Sequence, residues 1–298
     1  MRLGISLASS TSLAPRAAGS HLVARARAAD QAELDSLSLG DSHNQSGIGY
    51  LQNTPALGRV LAEWDDRPAG CLFLIPLWNP LLIAEQVATL AAMHEGRFIL
   101  QTGLGGAPAQ FAAMGAQRQE RAATLEEGIR VVRALLDGET VSSDRFAMRD
   151  AALGLLPPEP VDWWMGTGNA VGARRAARMG AALYVGPNGY GDELAQLAGM
   201  YRHAAERSRS EARIMVRRDV IVLQDGERAR ELADRAVAGG YRGFVRDHIV
   251  AGNPQQVVEQ LADLEGLGVD EVVARTMGIA TDVDLETIAC LGEVRSWL

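Results

Sequence analysis

The sequence predicts an α/β fold, a (β/α)8 TIM barrel in one domain spanning residues 1–298 with loop insertions. Three observations carry that expectation. Short apolar runs alternate with longer amphipathic ones from end to end, the pattern of a parallel sheet with helices outside. Eight such runs occur, at a spacing that favours a closed barrel over a doubly wound open sheet. The runs are almost wholly apolar, as strands buried on both faces must be, and Cys71-Leu72-Phe73-Leu74-Ile75 is the clearest.

Strands are predicted at residues 3–7, 36–40, 70–75, 98–102, 161–165, 181–185, 214–223 and 271–275. The opening Met1-Arg2-Leu3-Gly4-Ile5-Ser6-Leu7 is too short an apolar block for a signal peptide and reads as the first strand. Asn79-Pro80 places an N-cap and an N1 proline ahead of Leu82, Ile83, Val87 and Leu90, and Asn253-Pro254 repeats the signal ahead of Val257, Val258, Leu261 and Leu264. Residues 118–136 carry acids early and arginines late, which suits the helix dipole, and stop near Gly138. Gly268 in Leu267-Gly268-Val269-Asp270 reads as a helix stop before the last strand. Two connections are longer than usual, 41–53 after the second strand and 139–160 before the fifth. Long loops in compact domains are commonly functional, and barrel active sites are built on the loops that follow strands.

Composition narrows the chemistry. No run approaches the roughly 18 apolar residues of a membrane-spanning helix. A formal net charge of −8 provides no broad basic face for nucleic acid. Two cysteines cannot build a disulfide framework, and a reducing, cytoplasmic setting is the expectation. All 29 basic residues are arginine, so lysine Schiff-base, P-loop lysine and pyridoxal-phosphate chemistry are excluded. Histidines 21, 43, 94, 203 and 248 show no paired ligand spacing, so no metal site is expected. A Gly-x-Ser-x-Gly elbow is lacking, which argues against a serine hydrolase.

Three polar or glycine-rich segments remain. Gly166-Thr167-Gly168-Asn169-Ala170-Val171-Gly172 runs from a strand into a helix, where free amides and bare glycines suit a phosphate; a plain strand-to-helix turn is the alternative. Its third glycine falls one residue late for the dinucleotide fingerprint. Thr102-Gly103-Leu104-Gly105-Gly106 leaves the fourth strand as room for a flat ligand. Asp41-Ser42-His43-Asn44 at the end of the second strand is either a proton-handling pair or a capped surface loop.

Two stretches, Ile75-Pro76-Leu77-Trp78-Asn79-Pro80-Leu81-Leu82-Ile83-Ala84-Glu85-Gln86-Val87-Ala88-Thr89-Leu90 and Gly96-Arg97-Phe98-Ile99-Leu100-Gln101-Thr102-Gly103-Leu104-Gly105, together resemble the bacterial luciferase-like monooxygenase superfamily. Residues 121–138, 166–180, 252–257 and 268–272 agree in order and spacing, and Asp41-Ser42-His43 is similar to the methylene-tetrahydromethanopterin-reductase-like members of its F420-dependent branch. The resemblance implies a (β/α)8 barrel and an oxidoreductase moving a hydride between coenzyme F420 and a small organic substrate. The alternatives are an FMN-dependent monooxygenase and a degenerate barrel that binds cofactor without turnover. By the same resemblance Gly166, Thr167, Gly168 and Asn169 hold the cofactor phosphate, Asp41 and His43 lie near the reactive ring edge, and Gly103 and Gly105 clear space beside the ring. It also implies a homodimer, and a non-prolyl cis peptide behind the ring at Cys71–Leu72. The chain departs from the branch in three places: Ser42 separates Asp41 from His43, no tryptophan follows closely, and no glutamate follows the fourth strand. Tyr50, Trp78, Phe111 and Met114 are candidates either for a substrate pocket or for ordinary packing.

Overall fold

A computed structural model describes residues 1–45 and 47–298. Its strands are β1 (Arg2–Leu7), β2 (Ser10–Thr11), β3 (Leu37–Leu39), β4 (Gly49–Tyr50), β5 (Ala69–Leu74), β6 (Phe98–Gly103), β7 (Val141–Ser143), β8 (Met148–Ala151), β9 (Asp162–Gly166), β10 (Ala182–Val185), β11 (Ile214–Val222), β12 (Ile249–Gly252) and β13 (Glu271–Thr276). The spatial order β10-β9-β6-β5-β3-β1-β13-β11-β12, with β10 also pairing β11, closes eight of them into a (β/α)8 barrel. Those eight are the runs expected from the sequence, with ends that differ by at most one residue. The exception to that list, β12, pairs with residues 219–222 of β11, while β10 pairs with residues 214–216. The 139–160 connection holds the antiparallel β7–β8 hairpin, and the 41–53 connection holds β4, which pairs with β2. Ser46 in that connection lies outside the described residues.

The helices are α1 (Pro15–Gln31), α2 (Asn53–Val60), α3 (Pro80–Ala92), α4 (Pro108–Ala113), α5 (Arg121–Leu136), α6 (Ala170–Arg178), α7 (Gly191–Ser208), α8 (Gly226–Ala238), α9 (Pro254–Gly266) and α10 (Thr281–Trp297). Their starts follow local chemistry. Asn79 accepts the Leu81 N–H at 2.9 Å to begin α3. Asn253 and Gln256 form a reciprocal capping box at α9.

Two compact units make up the chain, one of residues 1–8, 14–37 and 164–298, the other of residues 9–13 and 38–163. In the second, β5 and β6 pair in parallel from Ala69↔Phe98 to Leu74↔Gly103. Ile83, Ala84, Val87 and Ala88 of α3 and Leu125, Ile129 and Val132 of α5 are almost fully buried in this unit. In the first, Ile221, Leu223, Ala229, Ala233, Ile249 and Ala251 form a buried cluster with Met277 and Val283. Each fully buried aliphatic side chain contributes about 1.5–3 kcal/mol relative to exposure.

One expectation is overturned. Among the described residues no peptide bond is cis, so Cys71–Leu72 is trans. The reason lies in the pairing: β5 keeps an unbroken register with β6 through both residues, which leaves no bulge there. The backbone departs from the strand only at Leu74 (φ −78°, ψ 76°), which leads into the 3-10 turn Ile75–Leu77.

Candidate active site

In the unit of residues 9–13 and 38–163, the end of β3 delivers Asp41 to a buried position. Its side chain has no exposed surface, and Oδ2 accepts two hydrogen bonds, from Leu74 N–H at 2.7 Å and Trp78 Nε1–H at 2.8 Å. Both donors come from the point where β5 gives way to its 3-10 turn, so the exit from the strand is what holds the carboxylate. The remaining oxygen, Oδ1, stands 3.2 Å from His43 Nε2. That separation is within ion-pair range, yet neither atom completes a hydrogen bond among the described residues. Buried polar atoms are nearly always paired, so two orphans facing each other mark a place where a ligand or a transferred proton is to be met. The His43 ring packs edge-on against Trp78 at 5.3 Å, and Phe73 packs on the same indole at 5.3 Å.

The loop between these residues is tied down. Ser42 Oγ accepts from Gln110 Nε2 of α4 at 2.8 Å and also from Gln45 Nε2. The Ser42 carbonyl accepts from Gln52 Nε2 at 3.2 Å. The serine that interrupts the Asp-His pair therefore anchors the loop to the helix that follows β6. Asn53, fully buried, donates to the Leu72 carbonyl at 2.7 Å and fixes the loop's far end to β5.

Alternation along β5 puts Cys71 and Phe73 on one face and Leu72 and Leu74 on the other. Burial, and then the Asp41 charge, push the Cys71 thiol well above its ordinary value, so it stays protonated and unreactive. A Cβ on Gly103 would meet Leu74 Cδ2 at 3.0 Å and Leu72 Cδ1 at 3.3 Å. Within this unit, the space expected beside Gly103 is bounded by those two leucines. Gly105 adopts φ +66°, a left-handed conformation that favours glycine, against Phe111. Phe111 is buried, whereas Met114 is exposed.

Gly166, Thr167, Gly168 and Asn169 lie in the other unit, at the end of β9 and the start of α6. Thr167 N–H donates to the Tyr184 carbonyl at 3.0 Å, and Asn169 Oδ1 accepts the Gly172 N–H at 2.9 Å as N-cap. The first turn of α6 carries no acid. A Cβ on Gly168 would meet nothing within 4 Å, so the turn is open to a close-approaching group. A capped helix start beside a bare glycine is the local geometry that suits a phosphate.

Gly172 is coupled to this turn, because a Cβ there would lie 1.9 Å from Thr167 Oγ1. Gly172→Ala is accordingly expected to displace Thr167 and to weaken binding of a phosphate-bearing ligand held at this turn by at least about tenfold in a titration. An unchanged affinity would show that the turn holds no such phosphate.

The sequence marks Trp78 as a candidate for a substrate pocket or for ordinary packing; in the structure its Nε1–H donates to Asp41. Trp78→Phe keeps the ring and deletes the donor. It is expected to lower turnover by roughly tenfold and the melting temperature by about 3–12 °C, because a buried carboxylate loses one of its two hydrogen bonds, worth roughly 1.5–3 kcal/mol.

The fold is a barrel with a buried carboxylate–imidazole pair after one of its strands. A family model, the luciferase-like monooxygenases, matches residues 1–243, and the chain belongs to that family. It is 30% identical over 174 residues to an F420-dependent glucose-6-phosphate dehydrogenase of Tsukamurella paurometabola, covering 54% of this chain and 52% of that protein. The corresponding enzyme of Amycolatopsis mediterranei is 29% identical over 216 residues, covering 70% of this chain and 63% of that protein. The chain thus spans between half and two thirds of the length of these relatives. Among solved structures, an F420-dependent secondary alcohol dehydrogenase in complex with an F420-acetone adduct superposes with a TM-score of 0.81 at 16% identity, covering 98% of this chain and 97% of that one. That likeness concerns the fold.

Proposed function

We propose that this chain is an oxidoreductase that transfers a hydride between coenzyme F420 and a small organic substrate, as one domain of residues 1–298. The observation that carries the reading is the buried Asp41–His43 pair, whose facing oxygen and nitrogen are both without a hydrogen bond. The names of the F420-dependent relatives support the choice of cofactor.

The residues fit such a group. F420, when bound, supplies two-electron chemistry at a flat ring. Gly166, Thr167, Gly168 and Asn169 would hold its phosphate, and Leu72, Gly103 and Gly105 would lie along its ring. The His43 imidazole, its Nε2 turned to Asp41, holds or releases the proton that accompanies hydride movement. Asp41 orients that imidazole and stabilises it when protonated. Leu74 N–H and Trp78 Nε1–H keep Asp41 fixed while it does so. The two cysteines, Cys71 and Cys290, are buried free thiols with no part in the redox step.

The protein acts in the cytoplasm as a homodimer in this reading. No helix among the described residues is long and apolar enough to cross a membrane. Light scattering on the eluting species tests the dimer. The function itself is tested by the absorbance spectrum of protein purified from a host that makes both F420 and FMN. A deazaflavin spectrum is expected; a flavin spectrum would replace the proposal with an FMN-dependent oxygenase, and bound cofactor without turnover would leave a degenerate barrel.

A further inference from the structure

In the unit of residues 9–13 and 38–163, β6 reads Phe98-Ile99-Leu100-Gln101-Thr102-Gly103, and every one of these residues is buried. Gln101 keeps only 2% of its surface exposed, yet its Nε2 makes no hydrogen bond among the described residues. An amide buried without a partner carries a desolvation cost that methionine or leucine at the same place would not. Such groups are rare in folded proteins, and each calls for a ligand or another specific reason.

The strand sets the direction of this side chain. Parallel register places Gln101 opposite Leu72 and Gly103 opposite Leu74 of β5. Residues two apart on a strand share a face, so Gln101 and Gly103 stand together. A Cβ on Gly103 would meet Leu74 and Leu72 side chains, which identifies that face as the one carrying the two leucines. It is also the face that opens. Leu72 and Leu74 are half-buried, whereas Cys71 and Phe73, on the other face of β5, are fully buried. The Gln101 amide is thus set one residue pair before the space that Gly103 leaves beside the leucines.

A carboxamide does not ionise in the working range of pH, so it neither supplies nor takes up the proton handled by His43. Its chemistry is recognition, through two N–H donors and a carbonyl acceptor. The flat rings of deazaflavin and flavin share a pyrimidinedione edge, whose carbonyl oxygens are acceptors for such donors. We propose that Gln101 recognises the ring of the bound cofactor, its Nε2–H donating to a pyrimidinedione carbonyl and fixing the ring's rotation against Leu72. This rests on the reading of the chain as a cofactor-dependent oxidoreductase, and deepens it by naming the side chain that reads the ring's polar edge. The empty protein bears the cost of the unpaired amide, and the bound ring relieves it.

The test is Gln101→Met, which keeps the length and unbranched shape and removes the amide, with Gln101→Leu as second variant should the first not fold. The full chain is compared with wild type by melting temperature without cofactor and by fluorescence titration with F420 and with FMN. The variant is expected to melt no lower than wild type, and roughly 2–6 °C higher where the full desolvation cost is relieved. Its affinity for the ring is expected to fall by at least about tenfold. Infrared difference spectra add a readout that packing alone does not move. A ring carbonyl band is expected at lower frequency in the wild-type complex than in free cofactor, and nearer the free value in Gln101→Met. Affinity within about threefold of wild type, or the same carbonyl band in both complexes, would overturn the proposal and leave the oxidoreductase reading standing. A melting temperature lower by more than about 2 °C would show that the amide serves the fold, and would also overturn it. FMN bound by wild type in place of F420, and at least about tenfold more weakly by Gln101→Met, would support the role of Gln101 and overturn the choice of cofactor. Wild type that takes up neither ring would overturn both.

Discussion

Asp41→Asn is expected to lower F420-dependent turnover by about 10²–10³-fold while changing F420 affinity by less than about threefold. The substitution preserves shape. An amide oxygen in place of Oδ2 still accepts from Leu74 N–H and Trp78 Nε1–H, so the loop after β3 keeps its anchor. The amide NH2 then faces His43 Nε2, where a carboxylate oxygen had stood at 3.2 Å. A proton on that nitrogen would point at a donor instead of an anion. The imidazole then accepts at Nε2 and carries its proton on Nδ1, the opposite tautomer from the one that donates to a carboxylate, and its orientation for proton transfer is lost. Steady-state kinetics read this as a fall in kcat at nearly constant KM. Turnover within a few-fold of wild type would remove Asp41 from the chemistry, and the same result for His43→Ala would remove the pair.

The second large effect concerns the scaffold. Gly70→Ala is expected to destabilise the protein by about 3 kcal/mol, seen as a melting temperature lower by roughly 6–12 °C. A Cβ on Gly70 would lie 1.7 Å from the Ile99 carbonyl oxygen and 2.8 Å from Ile99 Cα. These are backbone atoms of the paired strand, so relief requires β5 and β6 to separate or slide. Residues 71–74 of β5 carry the Leu74 N–H that holds Asp41, and the variant is therefore expected to lose activity beyond what its folded fraction explains. A melting temperature within 2 °C of wild type, roughly 1 kcal/mol or less, would show that the register tolerates the extra carbon.

Much of this architecture is legible in the residues because parallel strands announce themselves as apolar runs. The eight barrel strands could be placed for that reason. β12 could not, because its four residues Ile249–Gly252 run directly into the Asn253-Pro254 helix start and look like its approach. The β7–β8 hairpin lacks any sustained apolar run, since Arg149 and Asp150 of β8 face solvent. At the site, Asp41 and His43 could be chosen from their position after a strand. The roles of Trp78 and Asn53 could not, because the partner of an indole or amide N–H is decided by tertiary contacts. Gln101 did leave a signal. It stands inside a stretch predicted to be a buried strand, and a polar side chain in such a place calls for a partner or a ligand.

The central claim is that the Asp41–His43 pair serves a deazaflavin. Equilibrium titration of the purified chain with F420 and with FMN, each followed by ring fluorescence, addresses it most directly. The account predicts saturable F420 binding, at least about tenfold tighter than FMN, that survives Asp41→Asn. Tight FMN binding with none for F420 would contradict it.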